Sequence, residues 1–178
     1  ELESRYQITE ALNIYLSATW LDAEFDRYPG ADCTRLQSVV SRTDVAAQFG
    51  AVRQEQSCSQ DLSGGAMPMA PDFASLTRIQ YQWLTHDGYE LTAGFEWLYS
   101  DGFFTSPHAD PLRYQTNFNK YNASVVLQPW DANWHVGLVV NNLTNKLTSR
   151  QLGQDGNAAV SGLIDPPRQW LVNFKYAF

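Results

Sequence analysis

Two cysteines, three histidines and two glutamates are the residues whose chemistry could define an activity. Cys33 and Cys58 stand 25 positions apart, in a stretch rich in Gly, Ser, Pro and Asp. No Cys-x-x-Cys pair and no adjacent His supplies a zinc spacing. A disulfide closing that loop is the favoured reading; the alternative is two reduced thiols in a reducing compartment. A disulfide implies an oxidising location. Closing a loop of that length is worth about 3 kcal/mol in the chain-entropy model. His86, His108 and His135 are scattered, with no HExxH-like spacing. A turn, a loop and a wet strand face suit them as solvated polar groups. Glu90 and Glu96 share one strand face but lie roughly 20 Å apart along an extended chain. That is wider than the ~5–9.5 Å between the carboxylates of a glycosidase. No Gly-x-Ser-x-Gly, P-loop or dinucleotide fingerprint occurs. The chain is therefore expected to be no enzyme and to hold no cofactor or metal.

The elements that carry these residues are strands. Tyr89, Leu91, Ala93, Phe95, Trp97 and Tyr99 alternate with Glu90, Thr92, Gly94, Glu96, Leu98 and Ser100. Period-two alternation separates a dry face from a wet one, which helical spacing would mix. Trp170, Val172, Phe174, Tyr176 and Phe178 alternate in the same way with Gln169, Leu171, Asn173, Lys175 and Ala177. The pattern predicts seven antiparallel strands, at about 2–9, 13–25, 73–85, 89–103, 114–129, 133–143 and 167–178. Connections alternate in length. Short ones fall at Glu10–Leu12, His86–Gly88 and Asp131–Ala132; long ones at roughly 26–72, 104–113 and 144–166. Within the first long loop, Val45, Phe49 and Val52, with Thr43 as a cap, suggest a short helix over 43–54.

Composition excludes several classes. The chain has 178 residues, the size of one domain or part of one. Its net charge of −7, from 12 basic and 19 acidic residues, argues against a nucleic-acid partner. At 13% aromatic and 17% charged it does not read as disordered. No apolar run approaches the ~18–20 residues of a membrane-spanning helix. The chain opens at Glu1 with no signal-peptide pattern, so any leader is removed or lies upstream.

The strands are longer than the ~5–6 residues usual in soluble sheets. An 11-residue strand spans ~36 Å and, tilted ~45°, rises ~25 Å, the height of an outer-membrane barrel's apolar band. Trp20, Trp83, Trp97, Tyr99, Trp134 and Trp170 sit near strand ends, as interface girdles do. A β-sandwich or lipocalin shares the alternation. Strand length, girdle and the polar lumen-like face favour lipid.

Specific segments sharpen this reading. Gln169 to Phe178, with aromatics at alternate positions and a terminal Phe, resembles the C-terminal signal read by the barrel-assembly machinery. The resemblance rests on Trp170, Phe174, Tyr176 and Phe178. Val139-Val140-Asn141-Asn142-Leu143-Thr144-Asn145-Lys146 resembles the penultimate-strand motif of TonB-dependent outer-membrane receptors. Ala11 to Trp20, followed by Asp22-Ala23-Glu24-Phe25, is similar to the same family, as is Asp61-Leu62-Ser63-Gly64 leading to Met67-Pro68-Met69-Ala70-Pro71. In that family the last segment follows a long outer loop that often holds paired cysteines.

The resemblance covers nearly the whole chain. It implies a 22-stranded barrel with an N-terminal plug and a TonB box. Seven strands cannot close such a barrel, and an open sheet leaves unpaired edges that lipid does not tolerate. Residues 1–178 are therefore expected to be the C-terminal part of the barrel of a longer polypeptide, all-β, in a Gram-negative outer membrane. Its expected partners are lipid, lipopolysaccharide, the assembly machinery, TonB through the N-terminal part, and a scarce substrate such as a ferric siderophore. Candidate substrate contacts lie in the long loops: Arg27, Tyr28 and Arg35 with Phe25; Phe103, Phe104, His108 and Arg113; and Arg150. The alternatives are a passive diffusion porin, its selectivity set by luminal charge, or a soluble β-sandwich binding module.

Overall fold

The structure, a computed structural model, describes residues 1–34, 37, 58–154 and 160–178. Seven strands form one antiparallel sheet: β1 (Leu2–Gln7), β2 (Leu12–Trp20), β5 (Phe73–Leu84), β6 (Tyr89–Ser100), β9 (Phe118–Pro129), β10 (Trp134–Asn141) and β13 (Gln169–Tyr176). Their spatial order follows the chain, each paired with the next. Three two-stranded pairs stand outside this wall among the described residues. They are β3 (Ala31–Asp32) with β4 (Ser59–Gln60), β7 (Phe103–Phe104) with β8 (Tyr114–Gln115), and β11 (Ser149–Gln154) with β12 (Val160–Ile164).

Each expected wall strand is present, but several end earlier. β2 stops at Trp20, because the following chain leaves the sheet and makes a lone bridge from Glu24 to Ala66. β6 stops at Ser100, and β9 begins only at Phe118. Phe103, Phe104 and Tyr114 continue the apolar pattern, but pair with each other in the β7–β8 hairpin. The β11–β12 hairpin was not foreseen. The suggested helix over 43–54 and Arg35 lie outside the described residues.

Register puts the alternating side chains into rows. One row runs across all seven strands: Tyr6, Ile14, Ile79, Phe95, Ala123, Val140 and Trp170. The next holds Leu12, Tyr81, Ala93, Val125, Leu138 and Val172. Val140 is buried in the first of these rows, but among the described residues no second layer lies over the rest of the face. Val172 is 75% and Phe174 67% exposed. A sandwich would lay a second sheet here, and the described residues form none. The face is one continuous apolar surface, far larger than a water-facing protein normally shows.

Aromatic rings mark both ends of that face. At the loop end Trp20 packs on Phe73 at 5.2 Å between centroids, and Phe73 on Tyr99 at 5.9 Å. At the turn end stand Trp83, Tyr89, Trp134 and Tyr176, with Trp134 stacked on Phe174 at 6.3 Å. Phe73 and Trp83 close the two ends of one strand. About ten residues of strand rise ~33 Å, or ~23 Å at a ~45° tilt.

The turns at one end are tight. Thr85 N donates to Tyr89 O at 2.8 Å, and Gly88 takes φ 80° to close that turn, a backbone geometry glycine adopts without a Cβ penalty. All long connections emerge at the opposite end.

Candidate functional site

The second face of the wall is polar. One register row brings Arg5, Tyr15, Arg78, Glu96 and Asn122 side by side on five consecutive strands. The Arg5 guanidinium lies 5.6 Å from the Tyr15 ring centroid. Arg78 Nη2 meets Glu96 Oε2 at 2.7 Å. Asn122 Nδ2 donates to Glu96 Oε1 at 2.7 Å. The row continues when Asn142 N donates to Asn122 Oδ1 at 2.8 Å. Arg78 is half exposed, so its ion pair is worth only ~0–1 kcal/mol. The row works as a set of shared hydrogen bonds, each aligned by the ladder beneath it. Apolar pairs interrupt this face: Leu76 stands opposite Leu98, and Val139 opposite Leu171.

Asn142 directly follows β10 and lies in the left-handed region, at φ 54°. Asn tolerates that region better than other non-glycine residues. Its side chain is fully engaged. Oδ1 accepts from Lys146 N at 2.8 Å, and Nδ2 donates to Lys146 O at 3.0 Å and Pro166 O at 3.2 Å. One residue thus closes a tight turn and holds the far end of the 142–168 connection. The Asn-rich run was legible as a motif, but its bond to Pro166 was not.

Asp165 is a second meeting point. Its Oδ2 accepts from Lys120 Nζ at 2.5 Å and from Thr148 Oγ1 at 2.6 Å. Its Oδ1 pairs with the Arg150 guanidinium. Burial pushes the carboxyl upward, but bonds from Lys120, Thr148 and Arg150 outweigh it and hold the group at about 2. Sequence singled out Arg150 and missed Asp165, whose partners sit far away along the chain.

The described parts of the long connections are bonded to one another. Gln60 Nε2 donates to His108 O at 3.0 Å and Met69 N to Phe104 O at 2.8 Å, tying the first loop to the second. Arg113 Nε donates to Leu152 O at 2.6 Å, and Gln115 Oε1 accepts from Ser149 N at 2.7 Å, tying the second to the third. The buried residues gather here and are mostly polar: Thr105, Ser106, Asp110, Gln115, Asn142 and Thr148. Cys33 and Cys58 are joined in a disulfide with Cα atoms 5.6 Å apart, next to the β3–β4 pair.

The loop residues singled out by sequence fall in these connections, in different settings. Arg27 is exposed; Tyr28 packs on Phe25 at 5.0 Å. Phe104 meets Tyr114 edge-on at 5.0 Å, beside Phe103. His108 Nδ1 and Ser106 Oγ are buried without a hydrogen-bond partner. Arg113 braces a backbone carbonyl, and Arg150 is paired. Trp170, Phe174 and Tyr176 line one edge of the apolar face, and Phe178 follows past the strand end. Among the described residues no cluster of His, Cys, Asp or Glu could hold a metal ion.

No protein-family model matches the sequence, and no curated protein matches it. Solved structures do. The chain is similar to the siderophore receptor PiuA from Acinetobacter baumannii over 96% of its length, at 19% identity and a TM-score of 0.66. It is similar to the ferric yersiniabactin uptake receptor FyuA from Yersinia pestis over 99%, at 11% identity and a TM-score of 0.67. It spans only about a fifth of those chains, 20% and 22% respectively. The fold is therefore that of a segment of β-barrel wall with its loops.

Proposed function

We propose that this chain is the C-terminal part of the barrel of a TonB-dependent outer-membrane receptor, which takes up a scarce substrate such as a ferric siderophore. The observation that carries the reading is structural likeness to two siderophore receptors across nearly the whole chain. Physical support comes from the wall itself. Its apolar face suits hydrocarbon, its two aromatic rows suit the two interfaces, and its polar face suits a wet lumen. Both sheet edges, β1 and β13, are unpaired here and need further strands to close.

In this reading the tight turns face the periplasm and the bonded loops face outward, meeting substrate first. Cys33–Cys58 then lies on the oxidising side of the membrane. The aromatics from Trp170 to Phe178 serve as the assembly signal, and lipopolysaccharide surrounds the loop bases. TonB would engage a plug-bearing N-terminal part. The region does no covalent chemistry; it contributes wall and loops.

The test is uptake by cells. Deleting the gene under iron limitation should abolish uptake of at least one chelate in a panel of catecholate, phenolate and hydroxamate iron complexes. Uptake should also need the inner-membrane energy supply. Unchanged uptake of every chelate, with lost passive permeability to small solutes, would replace this reading by a diffusion pore.

A further inference from the structure

Two cations meet at the base of the β11–β12 hairpin, and two more bond backbone carbonyls of the same connection. Arg113 donates to Leu152 O, and Arg168 Nη1 donates to Leu143 O at 3.3 Å. Lys120 and Arg150 both pair with Asp165, which is the one carboxylate these four cations contact among the described residues. The Lys120–Arg150 pair on a single carboxylate stands out in a chain of net charge −7. Within the pairing, two cations share a single carboxylate, so one positive charge is left over.

Exposure differs across the cluster. The side chains of Lys120 and Asp165 are only 18% and 14% exposed, while that of Arg150 is 72% exposed. Lys120 rises from the polar face of β9 and lies 5.4 Å from the Phe118 ring centroid. Asp165 comes from the loop side, directly after β12, where its N–H donates to Thr148 O at 2.9 Å. The carboxylate therefore fastens the hairpin base to the wall at the mouth of the lumen.

We propose that Lys120 and Arg150 form an anion-binding site, that Asp165 is its built-in occupant, and that a polycarboxylate chelate displaces Asp165 and frees the hairpin. The proposal rests on the receptor reading for its place in uptake. The tether decides the ligand class. A tethered carboxylate competes at an effective concentration of millimolar order or higher. A free monocarboxylate offers the same bonds without the tether and loses. A ligand with several carboxylates satisfies both cations and the leftover charge, and wins.

The experiment uses the complete protein in detergent, with a nitroxide at Ser161→Cys on the hairpin and metal-free citrate as the probe, against acetate. Citrate should raise nitroxide mobility where equal acetate does not. Asp165→Asn should mobilise the hairpin without ligand, and calorimetric titration, which reads citrate binding independently of hairpin mobility, should give it a citrate midpoint about tenfold lower than the parent's. Adding Lys120→Met should remove the citrate response. Thr148→Val, which trims one bond and no charge, should move the midpoint less than about twofold. If Asp165→Asn does not assemble, Asp165→Glu keeps the charge, shifts the occupant by one methylene, and should lower the midpoint part-way. A citrate midpoint in Asp165→Asn or Asp165→Glu equal to that of the parent overturns the proposal. Chelate uptake that persists while citrate leaves the hairpin still removes the anion site and spares the receptor reading. A citrate-released hairpin in a protein that carries no chelate does the reverse.

Discussion

The Asn122 side-chain oxygen accepts the backbone N–H of Asn142 at 2.8 Å, so a polar-face side chain of β9 takes up the first donor past β10. Leu143 N continues the bonding to Tyr121 O at 2.8 Å. The wall therefore passes into the loops without a break in hydrogen bonding, and Asn142 is the residue at the joint.

Substitutions at Asn142 should separate its two contributions. Asn142→Gly keeps the left-handed backbone and loses the side-chain bonds. Asn142→Ala loses both. Each lost bond is worth ~0.5–1.5 kcal/mol, and the left-handed region costs a further ~1–2 kcal/mol for a Cβ-bearing residue. Urea unfolding of the complete protein in lipid should rank parent, Gly, Ala in falling stability. A Gly variant weaker than the Ala variant would refute the backbone argument.

Much of the wall was legible because strands with one apolar and one polar face obey a period of two over many residues. Strand ends were less so. Phe103, Phe104 and Tyr114 keep the apolar pattern while leaving the sheet, since pairing is decided by partners the local pattern does not reveal. The β11–β12 hairpin hid because Ser149–Gln154 is polar and carries a register shift between Ser149 and Gln151. The candidate site was half legible. Arg113 and Arg150 stood out as loop cations. Their partners, the Leu152 carbonyl and Asp165, depend on how the loops fold back, which residue type alone does not encode.

The disulfide should stabilise loop structure and leave the wall alone. Reduction should speed amide exchange at Ala31, Asp32, Ser59 and Gln60, the residues of the β3–β4 pair beside Cys33 and Cys58. Amides of β5, β6 and β9 should keep their protection, because their ladders are continuous from strand to strand. The chain-entropy model sets the cross-link at ~3 kcal/mol. Thiol labelling on intact cells should succeed only after reductant. Labelling without reductant would show that the thiols are free.

Adjacent residues on β5 should distinguish the two faces. Ile79 belongs to the uncovered apolar row, and Gln80 stands opposite Gly94 on the polar face. An arginine at the lipid midplane of a barrel costs ~2–4 kcal/mol, whereas luminal changes mainly tune selectivity. Ile79→Arg should therefore lower folding stability by about that amount in liposomes, and Gln80→Arg should leave it near the parent value. Equal losses at both sites would mean that both faces are buried in protein, and the membrane reading would fall.

Acid should release the β11–β12 hairpin in a defined window. The Asp165 carboxyl sits at about 2 rather than the ordinary 3.8. Burial alone would raise it; the bonds from Lys120, Thr148 and Arg150 more than reverse that. A carboxyl lowered in the docked state contributes its full stabilisation above its free value and loses it as pH falls through the docked value. Hairpin docking should thus be flat from neutral pH down to about 4 and weaken between about 4 and 2. A nitroxide at Ser161→Cys should report this as mobility rising only in that window. Asp165→Asn has no carboxyl to protonate, so its hairpin should be mobile at neutral pH and show no acid step. A mobility step centred near pH 6 in the parent protein, retained in Asp165→Asn, would assign the titration to another group and take Asp165 out of the fastening.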